Sequence, residues 1–166
     1  MEVESHHLSP AAGIPNSPLP LLVLRQAVSA EEASAEAMAQ RFRDHGWQGT
    51  WVYTVFDYWH YHLAGHEVLS CVAGEASIGF GGDAGIVAPM RPGDVVVIPA
   101  GVGHRRLSAT ADFAVVGAYP PGQNGAITRA GAVDHDTAIE QIAALALPER
   151  DPVTGGTPGC LAVWRG

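Results

Sequence analysis

A chain of 166 residues that is 47% apolar is of ordinary size for one domain with its own hydrophobic core. Seventeen acids face nine basic residues, giving a net charge of −8, which disfavours nucleic acid and anionic membranes as partners. All nine basic residues are arginine, so lysine Schiff-base chemistry is excluded.

The N-terminus "MEVESHHLSP" lacks the charged-then-apolar layout of a signal peptide, and no apolar run approaches the ~20 residues that cross a bilayer. Cys71 and Cys160 are too few for a disulfide framework, so reduced thiols and a cytoplasmic location are expected. Residues 1–17, rich in proline and small polar residues, read as a loose arm in which His6 and His7 have no role. "PLPLLVLRQ" predicts a strand around Leu21 to Arg25. "SAEEASAEAMAQRFRDHGW" predicts a helix opened by a Ser29–Glu32 capping box and closed near Gly46, with His45 complementing its C-terminal dipole. Ala35, Met38, Ala39 and Phe42 fall on its inner side.

From 49 to 119 the texture is that of short strands, with turn signals every 8 to 12 residues. "TWVYTVFDYWHYH" reads as one strand, and "EVLSCVAG" and "ASIGFGG" as a hairpin about Gly74-Glu75. "AGIVAPM", "DVVVIP" and "DFAVVGAY" follow as further strands. Such spacing suggests an antiparallel sandwich or barrel rather than βαβ units. Residues 120–166 form an extension, with His135 in a loop, a short helix N-capped by Asp136 and a closing strand "CLAVWRG". The whole, 1–166, reads as one domain.

Chemistry concentrates in "WHYHLAGHEVLSCVAG". His60 and His62 are two apart, so on a strand both side chains point one way. A tight loop would return Glu67 on the adjacent strand towards the same point. "GDVVVIPAGVGH" then supplies a strand, a Pro99-Ala100-Gly101 turn and His104. Three imidazoles and a carboxylate suit one divalent transition metal per chain, at about 2.0–2.2 Å for zinc. Iron, manganese, nickel, zinc, cobalt and copper all fit such a donor set.

These residues resemble the two motifs of the cupins. The first runs H-x-H, four residues, E, six residues, G at His60, His62, Glu67 and Gly74; the second runs G, five residues, P-x-G, two residues, H at Gly93, Pro99, Gly101 and His104. Thr54 stands where the first motif usually opens with glycine, and Ser108 where the second often ends in asparagine. "IPNSPLPLLVLRQA", "HEVL", "PAGVGH", "DFAVVGAYPPGQ" and "DPVTGGTPG" narrow the resemblance to the small single-domain YjlB-like cupins. The resemblance implies an all-β double-stranded β-helix, or jelly-roll barrel, with one N-terminal and one short C-terminal helix. It also implies the ligand set His60, His62, Glu67 and His104, and a homodimer.

For the remaining residues, alternation from Glu67 turns His66 away from the site, towards packing or a supporting role. Tyr58 shares parity with His60, and Leu69 and Cys71 share it with Glu67, so each is a candidate pocket wall. Arg106 is a candidate carboxylate clamp beyond His104, while Arg105 and Glu75 read as surface. Cupins of this donor set include oxidases, dioxygenases and decarboxylases, so resemblance leans to an oxidoreductase of dioxygenase type acting on a small molecule. A Lewis-acid isomerase, decarboxylase or lyase, and a non-catalytic metal- or ligand-binding module, stay open beside it.

Overall fold

Strand alternation sorts the buried apolar side chains onto two faces. A computed structural model describes residues 1–166 and contains eleven strands and two α-helices. In chain order the first elements are β1 (Glu2–Leu8), β2 (Ser17–Arg25), α1 (Ala35–Asp44), β3 (Gln48–Tyr53), β4 (His60–His62), β5 (Glu67–Ala73) and β6 (Ala76–Phe80). There follow β7 (Ile86–Met90), β8 (Val95–Ile98), β9 (His104–Ala109), β10 (Ala114–Tyr119), β11 (Ile127–Arg129) and α2 (His135–Ala143). One sheet has the order β1-β2-β8-β5-β10-β3 and the other β11-β4-β9-β6-β7, with every pairing antiparallel. The architecture is an all-β jelly-roll barrel, as the family resemblance implied.

The central strands of the six-stranded sheet, β2, β8, β5 and β10, are covered on both sides, which explains their nearly continuous apolar runs. Leu21, Val23, Leu69, Cys71, Val96, Ile98 and Val115 point into the barrel and meet Ile78, Phe80 and Met90 of the second sheet. Their neighbours Leu22, Leu24, Val68, Val95, Val97 and Val116 point outward, against Met38 and Phe42 of α1 and against Trp47, Leu161 and Trp164. By contrast, β7 shows Val87 and Pro89 to solvent and buries Ala88 and Met90. No helix is long and apolar enough to cross a membrane.

Several local expectations differ from this arrangement. Residues 2–8 are not a loose arm: β1 pairs along β2, and Glu4 bonds Arg25 at 3.0 Å. A polar edge strand carries little apolar signal, because its backbone ladder holds it. The helix expected from Ser29 is two pieces. Ser29 caps a 3-10 turn at Ala30–Glu32, and Ser34 caps α1 afresh through the Ala37 N–H. Gly46, at φ +84°, follows its end as expected. "TWVYTVFDYWHYH" breaks into β3 and β4 on different sheets. Nor do β5 and β6 make a hairpin; at Gly74, φ +64°, the chain passes from one sheet to the other. A Cβ there would lie 2.4 Å from Thr110 Oγ1, so the corner admits no side chain. Asp134, not Asp136, caps α2. "CLAVWRG" is a 3-10 segment rather than a strand, held by the Trp164 indole, which donates to the Pro20 carbonyl at 2.8 Å.

Candidate metal centre

Strand β4 turns His60 and His62 to the barrel interior, and His60 lies directly opposite His104 of β9. One ring nitrogen from each of the three histidines lies within 4.8 Å of the others, and all three rings are buried. The backbone fixes their tautomers. Each Nδ1 faces a carbonyl oxygen: Tyr58 for His60 at 2.9 Å, Ala126 for His62 at 3.1 Å and Val102 for His104 at 3.0 Å. A carbonyl only accepts, so Nδ1 carries the proton and Nε2 presents its lone pair to the cluster.

Glu67 arrives from the facing sheet, not from a strand adjacent to β4 as the loop length suggested. Its Oε1 lies 3.2 Å from His62 Nε2 and 3.4 Å from His104 Nε2. Its Oε2 accepts from the Tyr119 hydroxyl at 2.8 Å, and that hydroxyl accepts from the Trp51 indole at 2.8 Å. Lone pairs of oxygen and nitrogen facing one another at these distances call for a proton or a cation between them. His60, His62 and His104 could hold a metal ion, and Glu67 Oε1 faces the same point. The donor set, three imidazoles and a carboxylate in a buried apolar setting, fits a divalent transition ion.

The electrostatics of the cluster follow from burial and from the Glu67 charge. Burial, reinforced by the neighbouring His104 and His62 rings, pushes His60 down to about 3, so its imidazole is neutral at physiological pH. Burial alone would also lower His62, but the Glu67 carboxylate outweighs it and raises this histidine above its ordinary value. Burial would raise Glu67, yet His62 and His104 hold it well below the usual carboxylate range. Tyr119 is driven upward by burial and by the Glu67 charge, so its hydroxyl keeps its proton and donates.

The supporting residues fall in different places. His66 is buried outside the cavity: its Nδ1 accepts from the Ala100 N–H at 2.9 Å and its ring packs 5.1 Å from Trp164. Tyr58 reaches the site through its carbonyl, while its ring stacks on Phe56 and lies under Arg129. Leu69 lines the cavity. Cys71 lies deeper in the core, its thiol raised to about 11 by burial. Arg106 donates to Thr54 Oγ1 at 2.9 Å and borders a separate groove shared with Asp57.

Three supporting residues lay outside the sequence reading. Tyr119 was within reach of it, since alternation from the inward Val115 brings 117 and 119 to the interior; Gly117 makes room there for the Trp51 ring. Asn16, fully buried at φ 53°, donates to the Ser9 and Gly81 carbonyls and accepts from the Gly103 N–H at 3.1 Å, next to His104. Gln123 accepts from the His66 N–H at 2.9 Å and holds the loop that delivers Glu67. Neither amide stands in a sequence pattern that signals its role.

No family model matches the chain. It is 41% identical over 164 residues to the "Uncharacterized protein YjlB" of Bacillus subtilis (strain 168), covering 98% of this chain and 97% of that protein. Among solved structures it is similar to an acireductone dioxygenase from Bacillus anthracis with cadmium ion in its active center. That likeness has 15% identity and a TM-score of 0.42, over 57% of this chain and 63% of the other. A structure of the DMSP lyases RdDddP and RnDddQII is similar at 21% identity and a TM-score of 0.36, over 48% and 40%. The chain thus spans under two thirds of either solved neighbour, against nearly all of the curated relative.

Proposed function

This chain belongs to the YjlB-like cupins, and from that premise we propose that it is a mononuclear metalloenzyme of oxidase or dioxygenase type acting on a small organic molecule. His60, His62, His104 and Glu67 would hold one divalent transition ion. Such an ion supplies open coordination positions and, when redox-active, a route for electrons between a substrate and dioxygen.

The rest of the work falls to the chain. The Tyr58, Ala126 and Val102 carbonyls orient the three rings. Tyr119 keeps one Glu67 oxygen occupied, so a single oxygen faces the histidines. The apolar walls, Val55, Phe56 and Leu69 among them, exclude water.

One observation favours redox over Lewis-acid chemistry. Every imidazole and carboxylate lining the cavity is already part of the four-residue cluster, and no further carboxylate, imidazole or amine stands beside it. Isomerisation or elimination calls for a positioned general base, and the cavity has none to spare. Elemental analysis of the purified protein, followed by oxygen-uptake assays with small carbonyl compounds and phenols, tests the reading. Oxygen consumption coupled to loss of one compound is expected. Turnover by the zinc-loaded protein without oxygen would overturn the redox reading, and metal binding without any turnover would make the protein a binding module.

A further inference from the structure

The cavity above the cluster has a volume of about 360 Å³, at the small end of the range for ligand sites. Its walls are Trp51, Val55, Phe56 and Leu69, and its mouth is formed by Tyr53, 62% exposed, and Ile127, 44% exposed. Two polar atoms in this wall are not free to meet a ligand. The Trp51 N–H is spent on the Tyr119 hydroxyl, and the Tyr119 proton on Glu67. Lysine is absent from the chain, and no arginine lines the cavity. Arg106 does not line the cavity and donates to the Oγ1 of Thr54, itself a wall residue, and Arg129 lies 3.8 Å above the Tyr58 ring.

We infer that this cavity takes a two-ended ligand, with a pair of oxygen donors at the deep end and an uncharged, apolar or aromatic body of one or two rings towards the mouth. The inference rests on the proposed metal reading for its deep end and on the wall chemistry for its outer end. A divalent ion together with Glu67 leaves about one positive charge at the floor. That charge repels an ammonium, and an ionised oxygen pair neutralises it. A second anionic group further out would then be desolvated among apolar side chains with no counter-ion, which is costly. An uncharged ring instead buries its surface against Phe56, Leu69 and Trp51 and gains from each contact.

Three catechols with one head and different tails isolate the claim: catechol, 4-methylcatechol and 3,4-dihydroxybenzoate. Binding to the cobalt-loaded protein is followed by the cobalt visible spectrum, in about 0.3 M salt, so that the chain's net charge of −8 is screened. We expect 4-methylcatechol to bind at least as tightly as catechol, and 3,4-dihydroxybenzoate about tenfold or more weakly, the cost of an unpaired charge at the mouth. Ile127→Arg, which puts a cation at the mouth, is expected to recover most of the loss for the benzoate relative to catechol measured in the same variant. Equal or tighter binding of 3,4-dihydroxybenzoate overturns the inference, as does failure of all three to bind. So does benzoate binding that disappears in Arg106→Gln, since that would reveal a cation clamp. If cobalt is not retained, it is the metal reading that fails. The tail preference is then decided on the metal-free protein by ligand line broadening with 4-methylphenol and 4-hydroxybenzoate; preference for the former upholds it, and parity or no binding overturns it.

Discussion

His62 and His66 stand four residues apart, both buried, yet they are built for opposite purposes. His62 Nδ1 faces the Ala126 carbonyl and must carry a proton, so Nε2 offers a lone pair to the cluster. His66 Nδ1 accepts from the Ala100 N–H, so its proton sits on Nε2, which has no hydrogen-bond partner and lies near the Trp164 ring. A backbone group of opposite polarity on the same ring atom thus separates a metal-ready imidazole from a packing imidazole. Sequence proximity and burial do not distinguish the two; the partner of Nδ1 does.

Removing each ring puts this contrast under the greatest strain. His62→Ala and His104→Ala are expected to lower metal affinity several hundred-fold, about 3–4 kcal/mol for one of four ligands. His66→Ala should retain full metal stoichiometry while lowering the melting temperature by several degrees, because it frees the Ala100 N–H and opens a void beside Trp164. Metal titration paired with thermal melts checks both; loss of metal in His66→Ala would erase the distinction.

Acid sharpens it by a somewhat smaller amount. His60 and His66 are depressed by burial to about 3 and about 4, so in the metal-free protein both stay neutral after the unfolded chain has begun to take protons near pH 6.5. Their stabilising contribution is therefore complete above pH 6.5 and is lost as pH falls towards 4 for His66 and towards 3 for His60, on the order of 3 kcal/mol each. Glu67, depressed as well, adds to the loss below about pH 4.5. His62 has the opposite sign, since its raised value gives stability that is lost as pH rises. Urea unfolding at pH 7 and pH 4.5 measures the difference, and His66→Ala should flatten part of the slope.

The smallest effect concerns the opposite wall. Tyr119→Phe removes the only hydroxyl on Glu67 Oε2 without removing a ligand; about a tenfold loss of metal affinity is expected, with a drop of a few degrees in melting temperature because Glu67 Oε2 and the Trp51 N–H lose their partner. Unchanged affinity would show that the histidines alone orient Glu67.

Much of the centre was legible because strands repeat every two residues. His60 and His62 share a face whatever surrounds them, and the turn at Pro99-Ala100-Gly101 sets His104 just beyond a buried strand. The Gly74 corner was read as a hairpin because a turn residue marks a reversal but does not say which sheet receives the chain. β1 escaped notice because an edge strand held by its ladder needs no apolar side chains to announce it.

The sequence by itself determined the donor types, their order and the parity of each along its strand, since these depend only on neighbours in the chain. Tertiary structure decided that Glu67 faces the histidines from the other sheet, which nitrogen of each ring is free, and that the cavity wall has no spare charge. The reason lies in chain distance. Tyr119 meets Glu67, Ala126 meets His62 and Asn16 meets Gly103 across 52, 64 and 87 residues. Hydrogen bonds of that span exist only once distant stretches of chain have come together, within one sheet for the first two and between the sheets for the third.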